Sequence, residues 1–398
     1  MLWVAFVAVT GSDGGGSAPM LHSRPIAVGP LRVTVGATDP GIIARWDDLY
    51  AGFPDAEPGS STEELRVSIS HGATGMLVSM LDGIPLLEHP DLAAHELEIT
   101  RVLNHRKLDS EPDRVHLHAA GVARDGRAVV MAGRSGDGKS TLTARLVRSG
   151  WEYVTDEQIT FDREGSLIEP YPRPLTLRQG VWHLFEGIGG ERQRDDYHRV
   201  ETSLRELGGR AAGAAVLPCV VLAPQYRRSA TNSLIPFANR ADVVDFLVSC
   251  CHDTERLGAA ACAVLVGIAS RCPAWHLHFD DLEVASTLVA SAWEQAAARP
   301  VVGYRRLPGR SDHAGTGRGW CLAADSAAWA FNDGSGVAYQ PTTRRFARLD
   351  ALGIALWEIL AEPTPASVLL ADSPDEATGV AVETWLEMLA GSGLTVRS

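Results

Sequence analysis

Along the chain, apolar and polar positions alternate in two rhythms, one of period two and one of helical spacing. Leu31-Arg-Val-Thr-Val35 and Leu65-Arg-Val-Ser-Ile69 alternate like half-buried strands, whereas Leu92 to Leu103 spaces its apolar residues as a helix does. Val115-His-Leu-His-Ala-Ala-Gly-Val122 alternates again and runs toward a turn at Asp125-Gly126. Ala128-Val-Val-Met-Ala132 is a continuous apolar run of buried-strand length, and Ser140-Thr-Leu-Thr-Ala-Arg-Leu-Val147 reads as an amphipathic helix. Gly150-Trp-Glu-Tyr-Val-Thr-Asp-Glu157 is a strand ending in two carboxylates. Leu217 to Leu222 is apolar enough for a central strand, and Trp275-His-Leu-His-Phe279 alternates like a strand nearer an edge. The pattern predicts an α/β or α+β domain over 26–297.

Between Arg299 and Gly319 the pattern lapses: glycines, Pro308 and five arginines replace large apolar residues, so 298–319 reads as a linker. A smaller unit is expected over 320–398. Strands at Trp329-Ala-Phe331 and Val337-Ala-Tyr339 flank a turn at Asn332-Asp333-Gly334, and two helices follow. Leu349, Leu352, Leu356 and Ile359 form one predicted stripe, and Ala377, Ala381, Trp385 and Leu389 another. Residues 1–25, with a Gly/Ser-rich stretch from Gly11 to Ser17, read as a flexible leader.

Composition narrows the function classes. A length of 398 residues suggests two domains or three small ones, and 45% hydrophobic residues suffice for packed cores. The net charge of -13 opposes unspecific attraction to phosphate backbones or anionic lipid, so no nucleic-acid partner is expected. The apolar run Met1 to Val9 falls short of the ~20 residues that span a bilayer, so no membrane segment is read. Six scattered cysteines without C-x-x-C spacing fit reduced thiols in a cytoplasmic protein. His116 with His118, His276 with His278, and Cys250-Cys251 beside His252 lack the spacing of a closed zinc site. Cys250, Cys251 and Cys262 are read instead as filling apolar helix faces. Self-association into a homo-oligomer is left open.

The most specific signal is the G-x-x-x-x-G-K-S of Gly133-Arg134-Ser135-Gly136-Asp137-Gly138-Lys139-Ser140, with Thr141 next, because it joins the apolar strand to the amphipathic helix. Glycines in such a loop let backbone N–H groups and the helix N-terminus face an anion. A lysine then neutralises β/γ-phosphates, and the serine hydroxyl ligates Mg²⁺. Only two lysines, Lys107 and Lys139, accompany 34 arginines, and one of them occupies this position. The carboxylates of Asp156 and Glu157, one strand later, are candidates for holding Mg²⁺ or accepting a hydroxyl proton. ATP and Mg²⁺ are the expected cofactors.

From His118 to about Gly180 the chain resembles the HPr kinase/phosphorylase superfamily, with a histidine-small residue motif before the loop and an acidic pair on the strand after the loop helix. The resemblance implies an α/β P-loop kinase of HPr-kinase-like (PEP-carboxykinase-like) fold. It implies Asp156 as general base, Glu157 as an Mg²⁺ or positioning carboxylate, and His118 as an active-site neighbour. Through Pro172-Arg-Pro-Leu175 it makes Arg173 a candidate for reaching substrate or phosphate, ahead of Arg227 and Arg228. Two departures bear on the substrate: the second acid is Glu157 rather than Asp, and a glutamate-containing signature is missing around Leu175 to Gly187.

The last ~80 residues resemble PqqD, a small winged-helix-like domain that holds leader peptides. Leu349-Asp-Ala-Leu-Gly-Ile-Ala-Leu-Trp357 carries that resemblance, with Asp350 as helix N-cap. It implies that 320–398 accept the leader of a precursor peptide as an added strand. The combined expectation is a kinase that phosphorylates a Ser/Thr-type hydroxyl on a ribosomally synthesised peptide. The alternatives are a small-metabolite hydroxyl kinase and a non-catalytic nucleotide-gated peptide chaperone.

Overall fold

The computed structural model describes residues 19–59, 63–188, 199–311, 319–371 and 375–397. The first 18 residues of the expected leader 1–25 and the stretch 312–318 of the expected linker lie outside the described residues, while Leu21 and His22 of that expected leader form a strand paired with Ala37 and Gly36. The protein is mixed α/β, with several sheets and helices.

The N-terminal part is one sheet with two helices. Its strands are β1 (Leu21–His22), β2 (Ile26–Val28), β3 (Leu31–Ala37), β4 (Glu63–His71), β5 (Leu77–Leu81) and β6 (Ile84–His89). Helix α1 (Pro40–Leu49) crosses between β3 and β4, the parallel pair, and α2 (Leu92–Ser110) follows β6. Alternation sends Leu31, Val33 and Val35 inward against Trp46, Ile99 and Leu103, while Arg32 and Thr34 stay half-buried. Asp39 starts α1 by accepting the Gly41 N–H, with Pro40 at the first helical position.

The central sheet places the candidate site. It contains β7 (Val115–Arg124), β8 (Arg127–Ala132), β9 (Glu152–Thr155), β10 (Gln158–Phe161), β11 (Ile168–Glu169), β14 (Leu217–Tyr226), β15 (Ser233–Pro236) and β16 (Ala274–Phe279). A small hairpin, β12 (Leu175–Arg178) with β13 (Arg199–Thr202), lies beside it. The sheet is mixed: β8, β14 and β16 run parallel, but β7 pairs antiparallel with both β8 and β9. Two antiparallel steps restore direction, so β9 points the same way as β8, and its carboxylates emerge at the loop end.

Period-two alternation gives this sheet two apolar faces. Val129, Met131, Val122 and Leu222 pack on α3 (Lys139–Arg148) and α7 (Leu282–Ala296), through Leu142, Leu146, Ala285 and Val289. Ala128, Val130, Leu117 and Val221 pack instead on α4 (Arg240–Ser249) and α6 (Ala259–Arg271), with α5 (Thr254–Leu257) between those helices. Near-continuous apolar strands are what two covered faces require.

The C-terminal part is not a free appendage. Strand β17 (Tyr304–Arg306) falls within the span expected as linker, yet it pairs with β19 (Ala327–Phe331), and Leu307 after it is buried. The order β17-β19-β20-β21 is completed by β20 (Gly336–Gln340) and β21 (Arg345–Leu349). A separate pair joins β18 (Trp320–Leu322) to β22 (Thr395–Arg397). Trp329, Phe331, Val337 and Tyr339 share one apolar cluster with Val243, Val244, Leu247 and Cys262 of α4 and α6. Ala328, Ala330 and Ala338 turn the other way, onto α8 (Ala351–Ile359), α9 (Ala366–Ala371) and α10 (Glu376–Gly391). The layer of α4 and α6 therefore serves two sheets.

Two expected helix stripes hold in part: Leu349, Leu356 and Leu389 are buried, and Leu352 and Trp385 pack against the same core. In α8 the buried positions are Gly353, Leu356 and Trp357, whereas Ile359 is 48% exposed. Trp357 turns inward because its Nε1–H donates to the Pro308 carbonyl at 2.9 Å. In α10 the buried set is Val382, Leu386 and Leu389, with Ala377 exposed and Trp385 half-buried over Gly353. Asp350 caps α8 as expected, accepting the Gly353 N–H at 2.8 Å.

Candidate functional site

The glycine loop sits between β8 and α3. Gly133, Gly136 and Gly138 have φ of 154°, 100° and 92°, and at such angles a side chain is strained. Gly138 is the N-cap of α3 and no side chain caps the helix, so its first N–H groups face the loop. Within the loop, Asp137 Oδ2 accepts the Arg134 N–H at 2.6 Å. Lys139 is buried, and its Nζ donates to the carbonyls of Gly133 and Arg134 at 2.7 and 3.0 Å. Burial lowers its pKa, and Glu157, Asp137 and Asp156 oppose that shift.

A chain of polar contacts runs from this lysine to the acidic pair. Lys139 Nζ lies 3.3 Å from His118 Nε2, which accepts from it and leaves the Nδ1–H for Glu157 Oε1 at 3.2 Å. Arg173 then stands 3.8 Å from Glu157, 3.7 Å from Asp156 and 3.4 Å from Glu201. Asp156 is buried and accepts from the Tyr153 hydroxyl at 3.0 Å and from the Thr176 N–H at 3.3 Å. The Ser140 side chain at the start of α3 stands near enough to help lower the Asp156 pKa.

The pKa values of the two acids shift in opposite directions. Burial raises the Asp156 pKa, with Glu157 adding repulsion and Arg173 opposing. Burial would also raise Glu157, but the His118 hydrogen bond and the Arg173 and Lys139 charges overcome it and hold it at about 2. Glu201, fully buried, is pushed up to about 8 by desolvation and Asp156, against the attraction of Arg173. Three carboxylates around one guanidinium leave at least one proton in the cluster at neutral pH.

The site thus brings His118, Asp156, Glu157, Arg173, Lys139 and Ser140 into one group. Arg173 is only 4% exposed, and carboxylates surround it. The arginine that touches the loop is Arg178, whose Nη2 donates to Ser135 Oγ at 2.9 Å. Arg178 and Thr176 alternate on β12, so that strand's own period would have singled them out once it was recognised. Tyr153 and Glu201 had no comparable signal. His252 stands edge-on to His118 with centroids 6.1 Å apart, and the His118 N–H donates to the Cys250 carbonyl at 2.8 Å. Cys250 and Cys251 lie in the turn after α4 rather than on a helix face; Cys262 is buried in α6.

Hard oxygen donors suit Mg²⁺, and the Ser140 hydroxyl near Asp156 and an ionised Glu157 is such a set. Among the described residues no group of three His, Cys, Asp or Glu side chains could hold a metal, so phosphate oxygens would have to complete the shell. His116 is tied to Asp253 at 2.9 Å and to Glu111 at 3.1 Å, in a buried network with Lys107. Among the described residues no helix is long and apolar enough to cross a membrane.

Fold and site define a mixed α/β protein with a glycine loop facing a buried carboxylate cluster. The chain matches no protein-family model and no curated protein sequence.

Proposed function

We propose that this protein is an ATP-dependent phosphotransferase of HPr-kinase-like P-loop type that phosphorylates a Ser/Thr-type hydroxyl. The observation that carries this reading is the contact chain from Lys139 of the glycine loop through His118 to Glu157, Arg173 and Asp156. Lys139 and the α3 N-terminus bind and orient the β- and γ-phosphates. Asp156 takes the hydroxyl proton, because its raised pKa lies nearer working pH than the value of about 2 held by Glu157. Ser140 and Glu157 would hold Mg²⁺, which would supply neutralising charge to the phosphates. Arg173 fixes the relative positions of the acids.

The acceptor we assign is a precursor peptide whose leader is recognised by 320–398 as a PqqD-like domain. Supporting this, β17 (Tyr304–Arg306), just before that segment, is an exposed edge strand of the sheet that the segment builds, where a further strand can add. The test is ADP release by the full chain with and without peptides carrying Ser or Thr. Release that depends on the peptide, with phosphate recovered on a hydroxyl, is expected. A rate that no peptide changes sinks the peptide assignment, and an absence of ATP binding sinks the kinase reading altogether.

A further inference from the structure

The carboxylates occupy one flank of the glycine loop. On the opposite flank the parallel strands β14 and β16 end against it. The Tyr226 N–H donates to the Asp137 carbonyl at 3.1 Å, and the Arg227 N–H donates to the Phe279 carbonyl at 3.0 Å. A Cβ added at Gly138 would stand 2.9 Å from Phe279 Cζ and 3.2 Å from Tyr226 Cβ, so both aromatic residues touch the N-cap of α3. Their rings meet edge-on, with centroids 5.8 Å apart and planes at 60°. Phe279 is 1% exposed and Tyr226 48%. One ring is locked in the core and holds the other at the surface beside the loop. Arg227 and Arg228, both exposed, follow directly.

A bound nucleoside triphosphate with its terminal phosphoryl toward Asp156 and Glu157 carries its nucleoside away from them. That direction leads past Gly138 to Tyr226. We infer that Tyr226 is the stacking platform for the nucleobase, backed by Phe279, with Arg227 and Arg228 supplying positive potential to the phosphate nearest the ribose. The inference rests on the phosphotransferase reading and adds the base subsite to it. Aromatic stacking reads a π-face rather than a hydrogen-bonding edge, so the platform contributes affinity with little choice among bases.

The experiment compares binding of ATP and of inorganic tripolyphosphate to the full chain, as wild type, Tyr226→Ala and Tyr226→Phe. Loss of one stacked base corresponds to roughly 5- to 150-fold in Kd. Tyr226→Ala should therefore weaken ATP by about that factor while tripolyphosphate stays within about twofold, and Tyr226→Phe should bind both like wild type. If Tyr226→Ala binds ATP undiminished, the platform is wrong. Equal losses for ATP and tripolyphosphate also overturn it, since Tyr226 would then only prop the loop at Gly138. A wild-type chain that binds neither ligand overturns the phosphotransferase reading, and the base subsite falls with it.

Discussion

At the scale of single residues, the two lysines show how placement decides chemistry. Both are buried and both have their pKa lowered by burial. Lys107 donates to Glu111 and Thr160 at 2.5 and 2.8 Å and is structural, whereas Lys139 lies in the loop. Lys139→Ala should cut ATP turnover at least about 10²–10³-fold, the usual effect of removing one preorganised charge donor. Wild-type binding of labelled ATP by that variant would contradict the assignment. Asp156→Asn should keep nucleotide binding and lower transfer by roughly 10²–10⁴-fold, the general-base contribution; unchanged transfer would shift the role to Glu157. Glu201 makes a prediction of opposite character. Its folded pKa of about 8 lies above the ordinary 4.5, so the folded state binds the proton more tightly. Stability is then complete below about 4.5 and is lost as pH rises through about 8. Melting temperatures of wild type should fall across that window, and those of Glu201→Gln should fall less. A flat wild-type profile would refute the buried proton.

At the scale of elements, the loop and α3 were legible because their requirements are local. Positive φ at Gly138 needs glycine, and the adjacent Phe279 ring excludes a methyl group. Gly138→Ala should therefore abolish nucleotide binding while leaving the far-ultraviolet circular dichroism spectrum unchanged; retained binding would show that the loop tolerates remodelling. Strands β7, β8 and β16 were equally visible from their apolar runs. The stripes of α8 and α10 were placed only in part, with Ile359 and Ala377 exposed, because spacing alone does not say which side meets a partner. The Trp357 bond to Pro308 and the seat of Trp385 over Gly353 chose those faces. Strand β17, rich in arginine and glycine neighbours, has no period of its own and exists by pairing with β19.

For the whole molecule, the shared helical layer changes what a deletion does. Removing everything after Arg310 would take Trp329, Phe331, Val337 and Tyr339 out of the apolar cluster they share with Val243, Val244, Leu247 and Cys262. Burying one such Val or Leu is worth roughly 1.5–3 kcal/mol, and total stability of a domain is about 5–15 kcal/mol. The truncated chain should melt at least several degrees lower than the full chain or aggregate; an unchanged melting temperature would mean that this interface contributes nothing. The Tyr339 hydroxyl also donates to the Thr254 carbonyl at 2.9 Å, one residue from the Asp253 that holds His116. Loss of the sheet is therefore expected to disturb the turn beside the site as well.

From the sequence alone came the loop, its flanking strand and helix, the acidic pair and His118, since each is written in contiguous residues with a local conformational demand. Only the tertiary structure decided that β9 points with β8 through two antiparallel steps, and that Arg173 serves carboxylates while Arg178 reaches the loop. It also decided that Glu201 joins the cluster from β13 and that residues 304–306 of the expected linker are a strand of a packed sheet. Those outcomes depend on contacts between residues far apart in the chain, and hydrophobic pattern specifies that a face must be covered without specifying by what.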